Sequence, residues 1–134
     1  MQHYESMQAV AVATNLLEAF NAGDLDRMRE LLAPDLIAWV TNADGEADRV
    51  TGREEYLRRT AAMDLPGTQY SVTLTQSPAA IDDHLLLLMV EVWAERNGRQ
   101  LHNFAAHVLR VDDGRVTQWW MADAKPAESD QFWS

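Results

Sequence analysis

Cysteine is absent from the 134 residues. The chain therefore has no disulfide framework, no thiolate nucleophile and no Cys-ligated metal, and the redox compartment stays open. Positive charge is scarce: 11 Lys and Arg stand against 21 Asp and Glu, giving a formal charge of -10 and a pI near 4.6. A nucleic-acid binder needs a basic stripe along the phosphate backbone, so that class is excluded. Acidity of this kind serves solubility and names no substrate. Long apolar runs are missing as well. The longest, Leu85–Val90, falls far short of the roughly 20 residues of a membrane-spanning helix. The opening MQHYESMQAV lacks the basic and apolar regions of a signal peptide, so a cytoplasmic protein without membrane contact is expected. Gly-rich phosphate loops, nucleophile elbows and nucleotide fingerprints do not occur. His102 and His107 stand five apart, which in a strand turns them to opposite faces, and no metal or other cofactor is expected.

What is present describes an ordinary folded domain. Apolar residues make up 47% and charged ones 24%, and the length suits a single domain over 1–134. Met7, Val10, Ala13, Leu16, Leu17 and Phe20 recur at three- and four-residue spacings, which predicts a helix over 5–21 with one wide apolar face. Gly23 ends it, and Asp24 caps a second, short helix that Pro34 stops. Leu36–Thr41 reads as a strand, Asn42–Asp48 as a polar loop and Arg53–Met63 as a third helix. Strands follow over 69–76 and 84–95, the second closed by an Asn97-Gly98 turn. From Pro126 the chain forms a terminal helical turn presenting Phe132 and Trp133. Helices first and a mostly antiparallel meander after them mean α+β: a curved, cone-shaped sheet with three helices on its concave side.

The most informative stretch is Arg99–Asp123, two long β-rich runs flanking Asp112-Asp113-Gly114. Asp-Gly between such runs is a strong hairpin signal, because Gly accepts the positive φ that the twist-matched turn demands. With Asp113 and Gly114 in the loop, Asp112 pairs with Arg115, Ala106 with Met121 and Phe104 with Asp123. Side chains alternate. One face then carries His102, Phe104, Ala106, Val108, Trp119, Met121 and Asp123, and the other Asn103, Ala105, His107, Leu109, Gln118, Trp120 and Ala122.

Several segments resemble one superfamily. Phe20–Leu36 (FNAGDLDRMRELLAPDL) and Thr51–Tyr56 (TGREEY) are similar to the start of nuclear transport factor 2-like domains. Leu109–Asp123 (LRVDDGRVTQWWMAD) resembles the SnoaL-like, polyketide cyclase-type branch, with a Trp followed four residues later by an Asp. The resemblance implies a cone with a deep concave pocket and commonly a homodimer through the outer sheet face. Ketosteroid isomerase chemistry is disfavoured, since its three catalytic positions fall on Leu16, Val40 and Ala106. Limonene epoxide hydrolase chemistry needs an Arg and two Asp, and the strand over 100–108 supplies neither type. In scytalone dehydratase-like enzymes two histidines act with Tyr and Asp, and only His102 lines up. The SnoaL-like carry-over makes Asp123 an acid/base for intramolecular aldol closure.

The expected function is a small-molecule pocket performing cofactor-free acid/base chemistry of the cyclase, isomerase or lyase kind on a hydrophobic or aromatic substrate. Asp123 is the expected base, since an apolar wall disfavours its charged form, and His102, diagonal to it, is the expected helper. Trp119, Phe104 and Met121 would shape the site, with Tyr56, Leu16 and Trp39 as further substrate contacts. His107 is expected to point away, and His84 and His3 carry little weight. The alternative is a non-catalytic binding or dimeric interaction module, favoured by the lack of a dense polar constellation.

Overall fold

A computed structural model describes residues 2–134, with side chains from Ser6 onward, so the His3 side chain lies outside the described residues. The chain runs α1 (Gln2–Ala22), α2 (Leu25–Leu31), β1 (Leu32–Thr41), β2 (Ala47–Thr51), α3 (Arg53–Ala62), β3 (Ser71–Leu74), β4 (Ala79–Ala80), β5 (Leu85–Arg96), β6 (Arg99–Asp112), β7 (Arg115–Asp123) and α4 (Pro126–Trp133). The seven strands form one open sheet in the order β2-β1-β7-β6-β5-β3, with β4 paired to β5. Only β1 and β7 run parallel. The α+β cone expected from the sequence is the fold observed.

Local chemistry sets the helix ends. Gly23 at φ +65 donates to the Phe20 carbonyl, and Asp24 N–H reaches the Ala19 carbonyl at 2.9 Å, the paired bonds of a left-handed helix terminus. A Cβ built on Gly23 would stand 2.8 Å from Pro66 Cγ, so space and φ both call for glycine there. The Asp24 carboxylate then accepts from Arg27 N–H and starts α2. Asn97-Gly98 and Asp113-Gly114 all have positive φ, as twist-matched two-residue turns require.

Every helix packs on one side of the sheet. Ala13, Leu16, Leu36, Ala38, Leu86, Leu88 and Leu109 are among the most deeply buried residues of the core between them. Pro34 enters β1 without breaking the sheet because pairing with β7 is interrupted between Leu32 and Ile37, where a missing N–H costs no ladder bond. Asn42–Asp48 is only partly loop: residues 47–51 pair with β1 as an edge strand in which only Val50 is buried. Its polar composition hid it from a hydrophobic reading.

One irregularity decides what faces the helices. Asp112 pairs with Arg115, as expected, but Arg110 pairs with Gln118 and Val111 with Val116. Thr117 is thus an extra residue in β7, a bulge that shifts the register by one. His107 consequently pairs with Met121, Ala106 with Ala122 and Ala105 with Asp123. The expected pairs Ala106–Met121 and Phe104–Asp123 do not form. A one-residue slip exchanges the faces of a strand, so Asn103, Ala105 and His107 join Trp119, Met121 and Asp123 on the concave side.

Candidate functional site

A cavity of about 290 Å³ lies between the concave sheet face and helices α1, α3 and α4. Phe20 of α1, Tyr56 of α3, Tyr70 before β3 and Trp133 of α4 bring aromatic surface to it from four directions. The sheet contributes Asn103, Ala105 and His107 from β6 and Trp119, Met121 and Asp123 from β7. Such a lining fits a small, largely apolar molecule held by a few polar groups.

Asp123 is fixed through its backbone. Its N–H donates to Thr41 Oγ1 at 3.1 Å, and that hydroxyl donates to the Met121 carbonyl at 3.0 Å. On the other side Asn103, 3% exposed, accepts from Lys125 N–H and donates to the Lys125 carbonyl. Ala124 N–H bonds the Phe104 carbonyl. The carboxylate itself has no hydrogen-bond partner among the described residues. Burial without a compensating donor raises its pKa above the usual carboxylate value. Burial also raises the Tyr70 phenol, and the Asp123 charge pushes it further. Both tyrosines of the cavity therefore stay protonated, Tyr56 through burial above all.

His107 stands opposite Met121 and hence diagonal to Asp123 on the same face, ~7–8 Å apart between backbones. Its Nδ1 accepts the Trp119 indole N–H at 2.7 Å. Burial drops its pKa to about 4, so the ring is neutral across the physiological range. Trp119, 2% exposed, is wedged edge-on against Phe20 and tilted against Tyr56. Arg59 is the one lysine or arginine on the lining, and its Nε donates to Glu55 at 3.3 Å.

The structure separates the residues singled out from sequence. Asp123, Trp119, Met121 and Tyr56 line the cavity. His102 does not: it lies on the convex face, where Nε2 meets Glu91 Oε2 at 2.7 Å and the ring stacks on Trp93. Phe104 follows it outward, 38% exposed and beside His102. The Thr117 bulge is the cause in both cases. Leu16 is 1% exposed in the core and does not line the cavity, because its side chain fills the space between α1 and the sheet. Trp39 stacks on Trp120 with centroids 4.9 Å apart, on the convex side with its strand partner. Conversely, His107 points inward against expectation. Tyr70 and Thr41 escaped the sequence reading, since one is half-buried just before a short edge strand and the other acts through its hydroxyl. Trp133 covers its own chain's cavity. No group of three or more His, Asp or Glu that could hold a metal occurs among the described residues.

A family model for the SnoaL-like domain matches residues 13–119. The chain belongs to the SnoaL-like domain family. The matched segment includes His107 and Trp119 and stops short of Asp123. No curated protein sequence matches the chain. Among solved structures, this SnoaL-like domain is similar to Bal32a from a soil-derived mobile gene cassette, with 23% identity, TM-score 0.85 and coverage of 97% and 99% of the two chains. An LEH-like epoxide hydrolase from M. tuberculosis gives 20% identity and TM-score 0.76 over 96% of this chain and 92% of that one. IdmH, a putative polyketide cyclase from Streptomyces antibioticus, gives 24% and 0.73 over 93% and 98%. At such identities the likeness is one of fold. No described helix of this SnoaL-like domain is long and apolar enough to cross a membrane.

Proposed function

We propose that this SnoaL-like domain is a cofactor-free acid/base enzyme acting on a small, neutral, hydrophobic or aromatic carbonyl compound. The observation that carries the reading is the Asp123 carboxylate, half-buried on an aromatic wall with no hydrogen-bond donor to stabilise its charge among the described residues. Desolvation makes such a carboxylate a stronger base than one in water, which suits removal of a proton α to a carbonyl. The carbon–hydrogen electron pair moves into the carbonyl as an enolate. Return of the proton to another carbon gives an isomerase. Attack of the enolate carbon on a second carbonyl, with the proton returned to the new alkoxide, gives a cyclase. The SnoaL-like family match and the likeness to IdmH, a putative polyketide cyclase, support the second outcome.

The test needs no knowledge of the natural substrate. Small cyclic ketones incubated with the protein in D2O should exchange their α-protons at a catalysed rate, read by proton NMR. Asp123→Asn should reduce that rate by at least about 100-fold, the lower end of what a positioned base contributes. Equal exchange in the variant would end the reading.

One observation favours a second reading, a pocket that binds without chemistry: the carboxylate has no hydrogen-bond partner among the described residues. In that case ketones bind but no exchange is catalysed. We further propose that two chains associate through the convex sheet face, which no described helix packs against and which exposes Trp93 and Phe104.

A further inference from the structure

The indole of Trp119 can only donate, never accept. Its N–H lies 2.7 Å from His107 Nδ1, so Nδ1 must present a lone pair. A neutral imidazole has one N–H, and here it must sit on Nε2. The indole has little room to turn away, because it is 2% exposed and packs edge-on against Phe20 and tilted against Tyr56. An imidazolium would oppose two N–H groups at that distance, and burial opposes the charge in the same sense. Among the described residues, every sealed polar side-chain atom has a hydrogen-bond partner. Nε2 has none, so it is not sealed, and the space that His107 lines is the cavity.

We propose that Trp119 locks His107 as the neutral Nε2–H tautomer, and that this N–H docks the carbonyl or hydroxyl oxygen of a neutral ligand while discriminating against carboxylates and phosphates. His107 is then an oxygen-binding residue and Trp119 its positioning residue. The discrimination follows from the other charged and titratable groups on the cavity. Asp123 from β7 and Asp130 from α4 repel anions, and Tyr56 and Tyr70 are neutral donors. Arg59 from α3 is engaged by Glu55. An anion entering here would meet like charges, and the one guanidinium among the described lining residues already shares its charge with Glu55. The choice of a carbonyl ligand rests on the acid/base reading of Asp123, whereas the tautomer does not.

Nitrogen-15 NMR of the intact protein tests the lock directly. Between pH 6 and 8, His107 should show a protonated Nε2, a bare Nδ1 and a through-hydrogen-bond coupling from Nδ1 to the Trp119 indole nitrogen. A protonated Nδ1 or a charged ring at pH 7 overturns the lock. Trp119→Phe keeps an aromatic ring but removes the donor, and His107 should then populate both tautomers. If that variant does not fold, the coupling in the unaltered protein still decides the question. Cyclohexanone should shift the His107 Nε2 resonance on titration, and cyclohexanecarboxylate should bind at least about tenfold more weakly. Equal binding of the two overturns the discrimination. Asp123→Asn separates the readings: loss of exchange with the tautomer and ketone shift retained bears on catalysis alone.

Discussion

His107 and Asp123 share one wall yet answer to pH in opposite senses. Burial puts the folded-state value of His107 near 4 against 6.5 for an ordinary imidazole. The unfolded chain therefore takes up the proton first, and stability that is complete above pH 6.5 drains as the pH falls toward 4. At 1.36 kcal/mol per unit the full loss is on the order of 3 kcal/mol. His107→Gln keeps an acceptor for the indole and should flatten urea-unfolding midpoints between pH 6.5 and 5, before most carboxylates titrate. Asp123 works the other way. Its raised folded-state value means the native chain binds the proton first, so the contribution of this one group to stability is fullest below pH 3.8 and is lost as the pH rises through the folded value. Asp123→Asn should therefore raise the unfolding midpoint at pH 7, and the gain should vanish on acidification. A fold that tolerates this cost at neutral pH holds a charge where folding alone would not put one.

At the scale of elements, the Thr117 bulge determines which side chains see the cavity. Its hydroxyl donates to Asp112 Oδ2 at 2.8 Å, while Arg110 Nε donates to the same oxygen at 2.9 Å. Thr117→Val removes the hydroxyl without changing shape and should cost about 1 kcal/mol in urea unfolding. Deleting Thr117 removes only the unpaired residue, so Val116 and Gln118 would follow each other in plain alternation, every other pair of the hairpin would be kept, and Trp119, Met121 and Asp123 should still face the cavity in a variant that folds. The sequence reading placed the turn, the Asp112–Arg115 pair and the inward set of β7 correctly, yet inverted β6. Both faces of this hairpin are largely apolar, so alternation contains no mark of a one-residue slip. That is why His102 and Phe104 were expected in the pocket and His107 outside it. Asn21 shows a similar blind spot. Its amide donates to the Val72 carbonyl at 2.8 Å and accepts Val72 N–H at 2.7 Å, pairing the end of α1 with edge strand β3 as a strand would. A lone Asn near a helix end gives no hint of a partner 51 residues away. Asn21→Ala should lower stability by about 1–2 kcal/mol and speed amide exchange at Val72.

For the whole molecule, the same register that builds the cavity also strips cover from the convex face. Trp93, His102 and Phe104 form a continuous aromatic run there, with centroids 3.7 and 4.9 Å apart, while Trp39 and Trp120 stack on β1 and β7. Trp93 remains 46% exposed and Phe104 38%. Contiguous exposed apolar surface of this kind marks an interaction site, because burying apolar area is worth about 25 cal/mol per Å². A two-fold axis through the sheet would lay the run of one chain across that of its partner, self-matched as such an interface must be. Sedimentation equilibrium should therefore give twice the 15.2 kDa of one chain. Trp93→Glu combined with Phe104→Glu places like charges at the centre of the contact and should return the mass to that of one chain. Ketone binding should survive, since neither residue lines the cavity. A wild-type mass of a single chain would show that the aromatic run is left to solvent and that the sheet, not a partner, tolerates it.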